Sequence, residues 1–126
     1  MTRLFVYGTL RRDERYHGFL QGSPCLSFLA QIQGVLMDTG DGYPAMVEGM
    51  GQVCGEIYEV DERALEEIDD LEGYLGPGHP QNLYERVEKT AYTDQGVVQV
   101  QTYVYRHSVD ESEIPFGDWK LYQMTQ

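Results

Sequence analysis

A chain of 126 residues, 41% of them hydrophobic, is long enough for one domain with a single core and too apolar for intrinsic disorder. Its formal charge of −12, from 9 basic and 21 acidic residues, argues against a nucleic-acid partner and against an anionic membrane surface; most of the acids read as a solvated face. No apolar run approaches a membrane span and no signal-peptide core opens the chain, so the expected location is the cytoplasm.

The 14 glycines point to many tight turns. Cys25 and Cys54 are the only cysteines and read as reduced, packed thiols rather than a bridge. His17, His79 and His107 are scattered, and none has a Cys or Asp partner at metal-ligand spacing, so no metal site is expected.

The first element is a strand through Leu4, Phe5 and Val6, stopping at Tyr7-Gly8-Thr9. Glycine at a strand end lets the backbone turn and lets a ligand approach main-chain N–H groups, and Thr9 adds a hydroxyl at the same corner. Such a corner can cradle an anion or a carbonyl without charge of its own. Residues 11–21 are polar with Tyr16, Phe19 and Leu20 interspersed, which suits a short helix or turn. Residues 30–37 read as a strand, and Asp38-Thr39-Gly40-Asp41-Gly42 as a turn. Residues 43–48, with Pro44 inside, read as a short edge or irregular strand. Residues 52–60 read as a separate strand with a bulge at Gly55.

Asp61 is placed to cap a helix starting at Glu62, because its carboxylate can accept from a free N–H of the first turn. Ala64, Leu65, Ile68 and Leu71 fill one arc of that helix. Glu62, Glu66, Glu67, Asp69 and Asp70 fall outside the arc, on the solvent side. Glu72 falls inside it, as the one carboxylate on the buried face, provided the helix does not end at Asp70. Desolvation and the negative end of the helix both raise the proton affinity of a carboxyl held there, which suits a general base or acid. Residues 74–83 form a Gly/Pro-rich loop directly after it. Residues 84–93 and 97–106 then read as two strands of a hairpin around Asp94-Gln95-Gly96. With more strand than helix, the expected fold is α+β, a curved sheet or small barrel with a few helices outside it.

The pairing of Val6-Tyr7-Gly8-Thr9-Leu10 with Gly55-Glu56-Ile57-Tyr58-Glu59-Val60-Asp61 leading into Asp69-Asp70-Leu71-Glu72 resembles the γ-glutamylcyclotransferase-like family. The likeness is to its short bacterial branch and the γ-glutamylamine cyclotransferases. Leu83-Tyr84-Glu85-Arg86, Tyr103-Val104-Tyr105 and Gly117-Asp118-Trp119 continue the likeness over nearly the whole chain, as one domain over 1–126. The resemblance implies a small mixed β-barrel with peripheral helices. It also implies a cofactor-independent and metal-independent enzyme in which the α-amine of a γ-glutamyl group attacks its own γ-carbonyl, releasing an amine and 5-oxoproline.

Carried over, Glu72 matches the catalytic glutamate, and Tyr7, Gly8, Thr9 and Leu10 match the substrate-binding loop, against which the substrate α-carboxylate or the developing oxyanion would lie. Tyr84 and Tyr105 are further candidates for lining the pocket, or are sheet packing. Arg86 is a candidate to hold a substrate carboxylate, or pairs with one of the many acids. Trp119 reads as an apolar anchor for the tail. The implied partner is a small-molecule γ-glutamyl compound; monomer and homodimer both stay open. Two other readings remain: a non-catalytic γ-glutamyl-binding or regulatory domain, and a biosynthetic enzyme that removes a γ-glutamyl protecting group.

Overall fold

The computed structural model describes residues 1–107 and 112–125. Five strands form its body: β1 (Thr2–Val6), β2 (Cys25–Asp38), β3 (Pro44–Val60), β4 (Tyr84–Thr93) and β5 (Gly96–Tyr105). Two helices, α1 (Glu62–Leu71) and α2 (Trp119–Met124), and short 3-10 turns at His17–Leu20 and Pro115–Gly117 lie between and after them. The strands pair in the ring order β1-β3-β2-β4-β5. Neighbours are antiparallel, except that the ring closes through parallel pairing of Leu4 on β1 with Gln101 on β5. The architecture is therefore the small mixed barrel with peripheral helices.

Side chains alternate across a strand, and β1 uses both faces. Phe5 turns into the barrel with Ile32, Met46, Val53, Ile57 and Val100. Leu4 and Val6 turn outward under α1, with Tyr58, Val60, Ile68, Tyr84 and Tyr103. A strand buried on both sides reads as a continuous apolar run, which is why Leu4, Phe5 and Val6 are consecutive.

Three readings of the strands are corrected. Residues 43–48 and 52–60 belong to one strand, β3 from Pro44 to Val60, whose pairing with β2 is interrupted between them. Val35 pairs with Val47 and Gln33 with Gln52, so residues 48–51 bulge out. Pro44 stands at the first position, where a missing N–H is tolerated. The slip expected at Gly55 lies on the opposite strand, where Cys25, Ser27 and Ala30 pair with Tyr58, Ile57 and Gly55. Gly55 is needed for a close approach instead, since a Cβ there would run into the Val6 carbonyl and the Phe5 ring. Finally, β2 begins at Cys25 rather than Ala30, carried by that irregular pairing. Cys25 and Cys54 are free thiols.

Asp61 caps α1, accepting from the Ala64 N–H at 2.8 Å. The helix ends at Leu71, one residue beyond Asp70, with Glu72 as its cap. Gly73 takes a left-handed φ of +68°, its N–H donates to the Asp70 carbonyl at 3.2 Å, and the Tyr74 N–H reaches the Asp69 carbonyl at 2.9 Å. This double closure is a Schellman stop, and it keeps Glu72 in helical conformation as the capping residue. Trp119 is buried in the barrel cluster, so the C-terminal helix is anchored as expected. Among the described residues no helix is long and apolar enough to cross a membrane.

Candidate active site

The turn after β1 closes on itself: the Arg11 N–H donates to the Gly8 carbonyl at 3.0 Å and the Tyr16 N–H to the Thr9 carbonyl at 2.8 Å. Among the described residues, the N–H groups of Gly8, Thr9 and Leu10 have no acceptor. Gly8 is not in a glycine-only conformation. A Cβ on it would lie 2.7 and 2.9 Å from Cγ and Cδ of Pro44, so its first requirement is contact with that ring rather than clearance for a ligand.

The turn is held from behind. Glu56, 3% exposed on β3, accepts from Arg11 Nε at 2.9 Å, from the Arg12 N–H at 2.9 Å and from the Tyr58 hydroxyl at 2.8 Å. Arg11 also reaches Asp118 at 3.0 Å, and Asp118 caps α2 through the Leu121 N–H. Thus the Gly117-Asp118-Trp119 stretch ties the C-terminus to the turn.

The turn forms one wall of a narrow cleft. Glu72 enters it from the end of α1, Tyr43 and Pro44 from the start of β3, Tyr84 from β4 and Tyr103 from β5. The cleft continues into a wider groove that shares Thr9, Tyr43, Glu72 and Tyr84 and adds Arg15, Tyr16, Asp41, Leu71 and Leu83. Burial, with the nearby Asp69 carboxylate adding to it, pushes the Glu72 carboxyl up to about 7. A carboxyl tuned to that range can accept and return a proton near neutral pH.

Three of the phenols around Glu72 are committed donors. Tyr7 donates to the Tyr103 carbonyl at 2.6 Å, Tyr84 to the Pro44 carbonyl at 3.0 Å, and Tyr103 to Asp69 at 2.6 Å. Burial raises all three above the ordinary phenol range. They shape the cleft and do not compete with Glu72 for the proton.

Of the residues singled out from sequence, Tyr7, Gly8, Thr9, Leu10, Glu72 and Tyr84 meet at this cleft. Arg86 and Tyr105 do not line it or the groove. The Arg86 guanidinium is taken by Asp69, at 3.0 Å from Nε, and borders a different groove beside Arg3 and Gln101. Tyr105, paired with Tyr84 across the hairpin, packs edge-on behind its ring, with centroids 5.1 Å apart. Of the 74–83 loop, Leu83 alone reaches the groove; Asn82, 1% exposed, braces the loop through the Leu75 N–H and the Gly76 carbonyl.

Sequence reasoning missed Tyr43, Pro44 and Tyr103, and it placed Asp69 in solvent. Asp69 in fact turns to Tyr103 and Arg86, so Glu72 is not the only inward carboxylate of α1. The available signal was its spacing of three from Glu72, which puts both on neighbouring positions of one helix face.

Comparison with known proteins shows the family. The family described as "Gamma-glutamyl cyclotransferase, AIG2-like" matches residues 4–121. The chain is 44% identical over 124 residues to a Niallia circulans protein named γ-L-glutamyl-butirosin B γ-glutamyl cyclotransferase, covering 98% of this chain and 79% of that protein. The crystal structure of YkqA from Bacillus subtilis superposes with a TM-score of 0.79 at 31% identity, over 98% of this chain. This chain spans 41% of YkqA's length. An AIG2-like protein from Mus musculus superposes with a TM-score of 0.67 at 25% identity, over 87% of this chain and 80% of that one. With the family matched from β1 to α2, the chain belongs to the AIG2-like γ-glutamylcyclotransferases and is an enzyme of that type.

Proposed function

We propose that this enzyme cyclises a γ-glutamyl amine, releasing 5-oxoproline and the free amine, with Glu72 moving the proton. The observation that carries this reading is one titratable carboxyl set in the same narrow cleft as a turn with unpaired N–H groups. The γ-glutamyl half fills the inner cleft, and the departing amine lies in the wider groove beyond Glu72.

Glu72, as carboxylate, takes a proton from the substrate α-ammonium. The freed amine attacks the γ-carbonyl carbon and the new ring C–N bond forms. Glu72 then returns the proton to the departing nitrogen as the old C–N bond breaks, and the ring nitrogen gives its second proton to the released amine, which departs as an ammonium ion. The nucleophile is part of the substrate, so no Ser, Cys or Lys is called on. Each proton transfer by a positioned carboxyl is commonly worth about 10²- to 10⁴-fold in rate. Donors of the Tyr7-Gly8-Thr9-Leu10 turn facing the developing oxyanion would add on the order of 3 kcal/mol each. Holding the extended glutamyl tail bent toward its own amine is a positioning task, which suits a cleft walled by fixed phenols.

The relative named for γ-L-glutamyl-butirosin B favours a second, narrower reading, in which the enzyme removes a γ-glutamyl protecting group from a biosynthetic product. Both readings share every residue above and differ in the amine released. The test is incubation with a panel that includes γ-glutamyl-ε-lysine, γ-glutamyl-alanine and γ-glutamyl-butirosin B, followed by mass spectrometry. Equimolar 5-oxoproline and amine are expected from at least one substrate. Release of glutamate in place of 5-oxoproline would mean water attacks, and would overturn the cyclisation.

A further inference from the structure

A charged cluster outside the proposed chemistry stands directly behind Glu72. Asp69, one turn earlier on α1, turns to the barrel wall. Tyr103 on β5 donates to its Oδ1 at 2.6 Å, and Arg86 on β4 donates from Nε at 3.0 Å and Nη2 at 3.4 Å. The Arg86 guanidinium also lies over the Tyr74 ring, 5.1 Å from its centroid. The end of α1 is thereby tied to two strands and to the residue that follows its Gly73 stop. Tyr103 carries the network on to the turn after β1, because its carbonyl accepts the Tyr7 hydroxyl at 2.6 Å.

We propose that Asp69 is a positioning residue for Glu72: clamped between Tyr103 and Arg86, it fixes the last turn of α1 against the barrel and sets a negative charge beside Glu72 that strengthens it as a base. This rests on the reading of Glu72 as the group that moves the proton. A carboxylate one turn away on the same helix face disfavours a second negative charge, so the proton is held more tightly. The Asp69 charge is, after burial, the cause that holds Glu72 up at about 7. The other groups facing Glu72 are the phenols of Tyr7, Tyr43, Tyr84 and Tyr103, with Arg15 and Asp41 in the outer groove. Arg86 has two effects: it keeps Asp69 from standing as an uncompensated charge, and it limits how far Asp69 acts on its neighbour.

The test follows Glu72 directly, by carboxyl ¹³C NMR titration of the full chain, with its signal assigned by loss in Glu72→Gln. In Asp69→Asn the Glu72 midpoint should fall by about half a pH unit, about threefold in its protonation ratio, and the acid limb of kcat/KM should move down with it. Arg86→Gln, which leaves the Asp69 charge unbalanced, should move both upward. Should Asp69→Asn fail to fold, the double variant Asp69→Asn/Arg86→Gln leaves no unpaired charge and should still lower the midpoint. A merely structural ion pair would reduce kcat with no movement of either curve. An unchanged Glu72 midpoint in folded Asp69→Asn, or in the folded double variant, overturns the proposal. A midpoint that falls while the acid limb stays would count against Glu72 as the base, a failure of the underlying reading that the two curves keep separate.

Discussion

Truncating Glu56 to Ala should be one of the most damaging single changes outside the cleft. Its carboxylate accepts from Arg11 Nε, from the Arg12 N–H and from the Tyr58 hydroxyl, all within 2.9 Å, and it is 3% exposed. Removing one member of a buried pair leaves the other charged and poorly solvated, commonly at a cost of about 3–5 kcal/mol. Arg11 keeps its second partner, Asp118, at 3.0 Å, which offsets part of that cost. The expected loss is therefore about 2–4 kcal/mol, or a fall in Tm on the order of 10 °C. Arg11→Met should cost a similar amount, by stranding Glu56. The double variant Glu56→Leu/Arg11→Met should be less damaged than the sum of the singles, because no charge is then buried unpaired. Denaturant unfolding of the four proteins closes the cycle. Because the pair holds the turn after β1, kcat/KM should fall in the folded singles at temperatures well below their Tm. Single losses under about 1 kcal/mol that simply add would refute the view that this pair fixes the turn.

Three more outcomes are expected. Gly8→Val should force a side chain into the Pro44 ring, costing about 1–3 kcal/mol of stability and lowering γ-glutamyl ligand affinity, measured by unfolding and calorimetry. Leu83→Ala, at the one position of the 74–83 loop that reaches the groove, should change relative kcat/KM across γ-glutamyl amines while moving Tm little; uniform rates across the panel would deny the groove a role in selection. The raised proton affinity of Glu72 carries a stability cost with a definite sign. A carboxyl whose folded value lies near 7, above its unfolded value of 4.5, stabilises the fold below 4.5 and loses that contribution as pH rises through 7. Glu72→Gln, which cannot ionise, should thus be more stable than the parent at pH 8, by about 1–3 kcal/mol, and similar to it at pH 4, as read from Tm.

Local patterns carried much of this structure. The apolar run ending at Tyr7-Gly8-Thr9, the Asp61 cap, the arc of Ala64, Leu65, Ile68 and Leu71, and the hairpin around Asp94 are decided by neighbours in sequence, and each forms as read. Glu72 was legible because one helix face and one glycine stop determine it. Contacts made across the chain were not. Nothing near Glu56 in sequence announces Arg11, 45 residues away, and an acid in an alternating strand reads as solvent-facing until that partner folds over it. Asp69 sat outside the apolar arc, but a helical wheel counts only apolar neighbours, and Arg86 on β4 turns the arc's margin into an ion pair. Gly49 and Gly51 lie where a break between residues 43–48 and 52–60 was expected, in a segment that bulges out of the pairing with β2. Both make room for the crowded partner strand: a Cβ on Gly49 would run into Val35, and one on Gly51 would lie 2.9 Å from the Gly34 carbonyl oxygen.

The most direct test of the account compares the parent enzyme with Glu72→Gln on one confirmed γ-glutamyl amine, quantifying 5-oxoproline and free amine by mass spectrometry at pH 7–8. The parent should release the two in equal amounts. The folded variant, which keeps the shape of the side chain but cannot take and return a proton, should release neither above about one part in a hundred of the parent rate. More than a few per cent of the parent rate in the variant would remove Glu72 from the chemistry and with it the reading of this cleft.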